Sequence, residues 1–261
     1  MPRLSVCIET FFGKDVTPQD KIVHCKECGY DAVEFWGWGN KDIAALKATV
    51  QSNGMYVSTF GASSERPLVD PNARSALVEG LEKTAKVASE LGVDRLIMTT
   101  GNQRRGERFD TTRHTVLRNL RALLPVLDKT GLMLVIEPLN PIANHPTYWL
   151  TTMPEAADLV YELDHPQVKL LMDIYHQQIT EGNVIATIRE YIECIGHFHC
   201  AGVPGRHELV GGELDYRAIF KAIDETGYDA HVGLEFHPAG DTMEALRQAR
   251  ELTAARDCVA V

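Results

Sequence analysis

The stretch that decides the fold of this chain is LMLVIEPL, residues 132–139. Its apolar run is unbroken from Leu132 to Ile136 and ends at a carboxylate, Glu137. Continuous apolar runs are typical of parallel strands covered on both faces, whereas half-exposed strands alternate apolar and polar residues. The stretch therefore predicts a buried parallel strand that ends in an ionisable group.

Similar runs occur on both sides of this stretch, and each is followed by a segment that indicates a helix. With the first stretch included, they begin at Leu4, Ala32, Tyr56, Arg95, Leu132, Val168, Ile195 and His231. Two of the helices carry clear start signals, Thr17 before Pro18 and Thr152 before Pro154. Eight β–α units without a linker or a composition break predict an α/β fold, a single (β/α)8 TIM barrel, as one domain over residues 1–261.

An open, doubly wound sheet is the alternative fold for such an alternation. It would favour a G-x-G-x-x-G phosphate loop after the first strand. The chain instead has ETFFGKD at residues 9–15. The barrel is therefore the better interpretation.

Composition limits the class of partner and the compartment. The 261 residues carry a net charge of -10, which argues against nucleic acid as a partner because nucleic-acid binders usually present a basic surface. We found neither a signal-peptide pattern nor an apolar window long enough for a membrane span, so we expect a cytoplasmic protein without a membrane partner. The 6 cysteines are scattered, and the Cys25–Cys28 pair falls at a predicted helix end before Gly29, where a structural role is expected.

Four consecutive predicted strands, the fifth to the eighth, end in ionisable side chains. The stretches VIEPLN, LLMDIYH, GHFHCAG and GLEFHP place Glu137, Asp173, His199 and Glu235 at the carboxyl end of the barrel, where TIM-barrel active sites lie. Three neighbouring carboxylates cannot all stay ionised without a counter-charge. Together with one imidazole they suit Mn2+, Mg2+ or Co2+, so the sequence predicts a divalent-metal site.

The seventh strand contains two histidines on the same face, because His197 and His199 are two residues apart. His199 lies closer to the mouth of the barrel and is predicted to be the ligand. His197 is predicted to be a core or supporting histidine.

The loop after this strand, VPGRHELVGGELDY, supplies a cationic group. Pro204 and Gly205 indicate a turn that would direct Arg206 back over the mouth. A guanidinium offers a planar set of donors that suits a carboxylate or a row of hydroxyl oxygens. The sequence thus predicts an anion clamp beside the metal ligands.

Several of these stretches resemble the hydroxypyruvate isomerase family of the xylose-isomerase-like TIM barrel superfamily, which also contains the ketose 3-epimerases. The resemblance is carried by IEPLN, MDIYHQQITEGN, VPGRHE, GGELDY and GLEF, and it is densest between Leu132 and Pro238. At His199 the chain has the residue found in the epimerases, although DIYHQQ and VPGRHE are typical of the isomerase branch.

The resemblance implies a divalent-metal isomerase that interconverts an α-hydroxy ketone and an α-hydroxy aldehyde through an enediol. On that basis the catalytic glutamates are Glu137 and Glu235, Asp173 and His199 complete the metal ligands, and His176 and Arg206 contact the substrate. The expected substrate is hydroxypyruvate, which would give tartronate semialdehyde.

Three alternatives stay open at this point. The first is a ketose 3-epimerase acting on free ketoses, or a related isomerase of 2-oxo sugar acids. The others are a phosphodiester-cleaving barrel related to endonuclease IV, which would call for more histidines, and a non-catalytic sugar-binding barrel. For the isomerase and for the epimerase we expect a small sugar or hydroxy-keto acid as substrate and, by analogy with related barrels, a homodimer or homotetramer.

Overall fold

The computed structural model describes residues 1–253, and eight parallel strands form a closed barrel in chain order. The strands are β1 Arg3–Cys7, β2 Ala32–Phe35, β3 Tyr56–Gly61, β4 Arg95–Thr99, β5 Met133–Glu137, β6 Val168–Asp173, β7 Ile195–Cys200 and β8 His231–Leu234. The barrel closes where β8 pairs with β1, with Val6 opposite Leu234. The predicted fold class is confirmed.

Helices connect the strands and form the outer layer. They are α1 Pro18–Glu27, α2 Ile43–Ser52, α3 Arg74–Leu91, α4 Phe109–Thr130, α5 Met153–Leu163, α6 Ile174–Thr180, α7 Val184–Tyr191, α8 Tyr216–Glu225 and α9 Thr242–Glu251. A short 3-10 turn, Ile192–Cys194, leads from α7 into β7.

The two predicted helix starts are present. The side chain of Thr17 accepts a hydrogen bond from the backbone of Asp20 at the start of α1, and Thr152 does the same for Glu155 at the start of α5. Each cap satisfies a backbone N–H that has no partner inside its helix. These caps fix where the chain turns from the barrel mouth back along the outside of the barrel.

The connection after β6 begins without a loop. Asp173 is the last residue of β6 and also the N-cap of α6, since its Oδ1 accepts hydrogen bonds from the backbone of Tyr175 at 2.9 Å and of His176 at 3.4 Å. One carboxylate oxygen is therefore committed to the helix, and the other, Oδ2, is left for the barrel mouth.

The five described cysteines are free and buried. Cys258 lies outside the described residues. The prediction of a single domain also includes residues 254–261, which lie outside the described part of the chain. Within residues 1–253, no helix has the length and apolar character needed to cross a bilayer.

Candidate active site

The barrel mouth brings together the four side chains predicted as metal ligands. Glu137, Asp173, His199 and Glu235, here called the donor cluster, each offer one ligand atom, and these atoms all lie within 4.8 Å of one another. All four residues are buried. The register explains the convergence, because Asp173 on β6 lies directly opposite His199 on β7, and Glu235 follows β8, the next strand round the barrel.

His199 turns its Nδ1 atom toward the carboxylates of the cluster. Nδ1 lies 3.1 Å from Oε2 of Glu235 and 3.9 Å from Oε1 of Glu137, yet it is buried and has no hydrogen-bond partner among the described residues. A buried polar nitrogen without a partner is costly. This orphaned nitrogen, surrounded by carboxylate oxygens, is what a metal-ligating imidazole requires.

The two glutamates of the cluster differ in their electrostatic environment. Burial raises the pKa of Glu137 to about 8, and the nearby charge of Glu235 adds to the increase. Burial also acts to raise the pKa of Glu235, but the positive charges of His199 and Arg206 outweigh it and bring that pKa down to about 2. Two like charges at one site favour this kind of separation.

Their hydrogen bonds differ in the same way. Glu235 accepts hydrogen bonds from the guanidinium of Arg206 and from the indole Nε1 of Trp36. The carboxylate of Glu137 accepts none from any residue in the described part of the chain. Glu235 is thus held in place, whereas the carboxylate of Glu137 stays available to a ligand in the pocket.

Arg206 lies over the mouth, as the loop sequence predicts. Gly205 and Arg206 both have positive φ, 89° and 60°, and this tight turn returns the side chain toward the cluster. Its Nη2 donates to Oδ2 of Asp173 at 3.1 Å and to Glu235, while its Nε donates to the backbone oxygen of Glu235 at 3.2 Å. The guanidinium carbon also lies 5.2 Å from the centre of the Tyr175 ring.

His176 is held as a donor that faces the pocket. Its Nδ1 accepts a hydrogen bond from the backbone N–H of Asn140 at 3.2 Å, which leaves the ring proton on Nε2. Burial lowers the pKa of His176 to about 4, so the ring is neutral near pH 7. Nε2 is buried without a hydrogen-bond partner in the described residues, 3.5 Å from Oδ2 of Asp173.

The cluster opens into a pocket of about 350 Å³, which is suited to a small molecule. One wall comes from the other side of the barrel, where Trp36, Ala62, Ile97 and Thr99 line the cavity. The remaining wall contains Leu139 and two imidazoles, His145 and His176. The cavity is therefore mixed, with an apolar wall facing a charged one.

Sequence reasoning missed two functional candidates here. His145 lies in the loop after β5, with its ring centre 5.4 Å from that of His176, and no periodic pattern marks a loop histidine. Glu34 lies within β2, where it is 1 % exposed, and contacts both His197 and His199. A sequence signal for Glu34 was present, because a carboxylate inside an otherwise apolar strand is unusual. Glu34 was missed because it lies within the apolar run, whereas the predicted metal ligands lie at the ends of such runs.

His197 is placed as predicted, in the core below the cluster. It is fully buried, and its Nε2 lies 3.0 Å from Oε2 of Glu34. Among the aromatic residues near strand ends, Phe11 packs edge-on against Phe236 in the core, whereas Trp36 and Tyr175 contact the site.

The donor cluster fits a divalent cation. With His199 neutral, as a metal ligand would be, the three ionised carboxylates exceed the single guanidinium beside them by two negative charges. Carboxylate oxygens with one imidazole nitrogen are the ligands that Mg2+, Mn2+ and Co2+ accept. The side chains that would hold the ion are those of the donor cluster, with His199 bonding through Nδ1.

The sequence matches the family model described as xylose isomerase-like TIM barrel over residues 22–255. The chain belongs to this family. Curated relatives include a putative hydroxypyruvate isomerase of Homo sapiens, which is 35% identical over 230 residues, covering 84% of this chain and 83% of the relative. A 2-oxo-tetronate isomerase of Cupriavidus necator is 30% identical over 253 residues, covering 94% and 96% of the two chains.

Solved structures with the same architecture include an AP endonuclease, family 2, of Brucella melitensis. It has a TM-score of 0.90 and 25% identity, and the match covers 96% of this chain and 99% of that one. The names of the curated relatives confirm, at the level of the family, the predicted class of a sugar or keto-acid isomerase.

Proposed function

We propose that this protein is a divalent-cation-dependent isomerase that interconverts an α-hydroxy ketone and an α-hydroxy aldehyde, with hydroxypyruvate and tartronate semialdehyde as the substrate pair. The observation that carries the proposal is the donor cluster, which lies beside Arg206 in a small pocket. One of its glutamates, Glu235, is held by hydrogen bonds, whereas the carboxylate of Glu137 accepts none from the described residues. Relatives named for hydroxypyruvate and for 2-oxo-tetronate, both 2-oxo acids, support the substrate class.

Glu137 is the residue to which we assign removal of the proton from carbon. Its carboxylate is buried but accepts no hydrogen bond from the described residues, so it can approach a substrate C–H bond. Its pKa of about 8 lies near neutral pH, so the ionised form is accessible and is a stronger base than an ordinary glutamate. The electron pair of that bond then forms the double bond of an enediolate. A divalent cation, when bound, would stabilise the negative charge that develops on the substrate oxygens.

Glu235 and His176 complete the proton transfers. Glu235 is fixed by Arg206 and Trp36 and is ionised before the reaction. We assign to it the removal of the proton from the substrate hydroxyl group and the delivery of that proton to the neighbouring carbon, while the proton taken up by Glu137 passes to the former carbonyl oxygen. The net proton count over one turnover is zero, and the oxidation change is internal to the substrate. His176, with its proton on Nε2, donates to a substrate oxygen.

Arg206 favours an acid as the substrate. Its Nη1 has no hydrogen bond to any described residue, although Nε and Nη2 are both engaged. A free guanidinium nitrogen next to the pocket suits a substrate carboxylate better than a neutral sugar. Without this group, the cluster and its two glutamates would serve a ketose 3-epimerase equally well.

The test is a substrate panel in D2O with Mn2+, Mg2+ or Co2+. Hydroxypyruvate, 2-oxo-tetronate, fructose, tagatose and ribulose would be compared by NMR. We expect isomerisation of an acid with solvent deuterium incorporated at carbon, because an enediolate takes its proton from groups that exchange with solvent. Epimerisation of neutral ketoses alone would favour the epimerase instead.

Removing the cation gives a second measurement. Dialysis against EDTA should abolish turnover, and adding Mn2+ back should restore it. The melting temperature should also rise with Mn2+, since at 100 times its dissociation constant a bound ligand stabilises the fold by about 2.7 kcal/mol. Full activity after chelation would contradict a cation-dependent mechanism.

A further inference from the structure

Directly beneath the donor cluster, the interior of the barrel holds another carboxylate, Glu34 on β2. It lies together with His197 and His199, and all three are buried. A carboxylate in such a position is costly unless its charge and its oxygen atoms are paired. The reaction proposed above does not use Glu34, which therefore requires a separate explanation.

One oxygen of Glu34 is fixed by three donors. Oε2 accepts hydrogen bonds from Ser5 Oγ at 3.1 Å and from Ser58 Oγ at 3.3 Å, and His197 Nε2 lies 3.0 Å from it. These donors come from three different strands, so the carboxylate is held from several sides of the barrel. Its negative charge therefore occupies a defined place in the core.

The other oxygen of Glu34 faces the metal-ligating histidine. Oε1 lies 3.0 Å from Nε2 of His199, and neither atom has a hydrogen bond to any other described group. The approach is an ion-pair contact rather than an aligned hydrogen bond. The imidazole of His199 thus bridges two sets of carboxylates, with Nε2 toward Glu34 and Nδ1 toward Glu137 and Glu235.

The backbone of β8 leaves space for this contact. A Cβ atom at Gly233 would lie 1.9 Å from Oε1 of Glu34 and 2.6 Å from Cδ2 of His199. Any side chain at this position would displace both groups. The absence of a side chain at residue 233 is therefore a requirement of the Glu34–His199 contact.

We propose that Glu34 is a positioning residue for the cation site, acting through His199. Its fixed charge next to Nε2 keeps the ring proton on that nitrogen and leaves the Nδ1 lone pair directed at the donor cluster. Mutation of a carboxylate that orients a metal-bound imidazole in this way commonly weakens metal binding by 10- to 100-fold. The inference rests on the proposed cation-dependent function.

A second cation between Glu34, His197 and His199 is the competing explanation. The three donors around Oε2 are arranged as hydrogen bonds, and two of them are neutral hydroxyl groups that need no metal. The group also provides a single carboxylate, compared with three in the donor cluster. The positioning role accounts for both oxygen atoms of Glu34 without an additional ion.

The experiment measures Mn2+ binding to the full chain by calorimetry, without substrate. Glu34→Gln keeps the side-chain shape but removes the charge, and we expect the dissociation constant for Mn2+ to rise 10- to 100-fold. With saturating Co2+, the visible spectrum of this variant should also differ from that of the wild type, because the His199 ring is no longer fixed. Mn2+ affinity and a Co2+ spectrum both equal to those of the wild type would overturn the proposal.

His197→Gln is the matched control, since the glutamine amide keeps an N–H donor for Oε2 of Glu34 and residue 197 is not part of the donor cluster. We expect it to lower the melting temperature of the chelated protein while leaving the Co2+ spectrum unchanged. An equal loss of Mn2+ affinity in both variants would show general damage to the core and overturn the proposal.

A milder change covers the case in which Glu34→Gln does not fold. Replacing Ser5 and Ser58 by Ala removes two donors from Oε2, and the dissociation constant for Mn2+ should rise several-fold. Unchanged affinity in this double variant would also overturn the positioning role. A wild-type protein that binds no Mn2+ would instead contradict the proposed function, so the two failures are distinguishable.

Discussion

The two halves of the barrel carry different kinds of residue at the mouth. Each of the strands β5–β8 has one residue of the donor cluster at or next to its carboxyl end, whereas β1–β4 contribute none to it. The first half instead lines the pocket with Trp36, Gly61, Ala62, Ile97 and Thr99. Within one continuous sheet, the second half therefore carries the charges and the first half shapes the space in front of them.

The first half also supports the second from inside the barrel. Glu34 on β2 contacts His199 on β7 across the interior, and Trp36, just after β2, donates to Glu235 across the mouth. These contacts predict that substitutions in the two halves of the barrel affect turnover to different extents. Changes in the second half should affect the chemical step directly, whereas changes in the first half should act by moving the residues of the second.

The largest effect is expected for Glu137→Gln and Glu235→Gln. Each replaces a carboxylate to which we assign a proton transfer by an amide of the same shape, and turnover should fall about 10³-fold. Steady-state kinetics with hydroxypyruvate, alongside circular dichroism to check the fold, would measure this. Glu27→Gln, on the exposed surface of α1, is the control and should stay within two-fold of the wild type. Near-normal turnover in either cluster variant would remove the distinction between the two halves.

An intermediate effect is expected for Arg206→Ala. It removes the guanidinium group beside the cluster, and kcat/KM for an acid substrate should fall roughly 100-fold. The kcat/KM for a neutral ketose should fall much less. The dissociation constant for Mn2+ should not increase, because the loss of Arg206 leaves the carboxylates of Asp173 and Glu235 without their guanidinium partner. Equal losses for acid and neutral substrates would contradict the assignment of Arg206 as an anion clamp.

The smallest effect is expected for Trp36→Phe. The change keeps an aromatic wall but removes the N–H donor to Glu235, and the loss of one hydrogen bond to a charged group should lower kcat about 10-fold. KM should change little, since the ring still lines the pocket. A loss as large as that of Glu235→Gln would mean that the first half also carries the chemistry.

Much of the fold was predictable because buried parallel strands have mostly apolar sequences, without a regular alternation of polar residues. The predicted and observed strand starts coincide at Ala32, Tyr56, Arg95, Val168, Ile195 and His231. The donor cluster was predictable for a related reason, since an ionisable residue that ends an apolar run is conspicuous. TIM barrels also place all strand ends at one mouth.

The rest depended on information that a linear pattern does not contain. The contact between Glu34 and His199 crosses the barrel between strands that are not neighbours, so only the closed structure brings them together. The hydrogen bond from Trp36 to Glu235 likewise joins residues that come together only in the closed barrel. His145 lies on a loop, where neither helical nor strand periodicity applies.

The pairing of β8 with both β7 and β1 links assembly of the donor cluster to completion of the sheet. Glu235 directly follows β8, so a growing chain that has not reached this strand has only three of the four donors, on a sheet that is not yet closed. A bound ion would then act late in folding, because it would stabilise the closed barrel relative to folding intermediates in which the barrel is incomplete. Metal supply during synthesis would in that case affect the yield of native protein as well as its turnover.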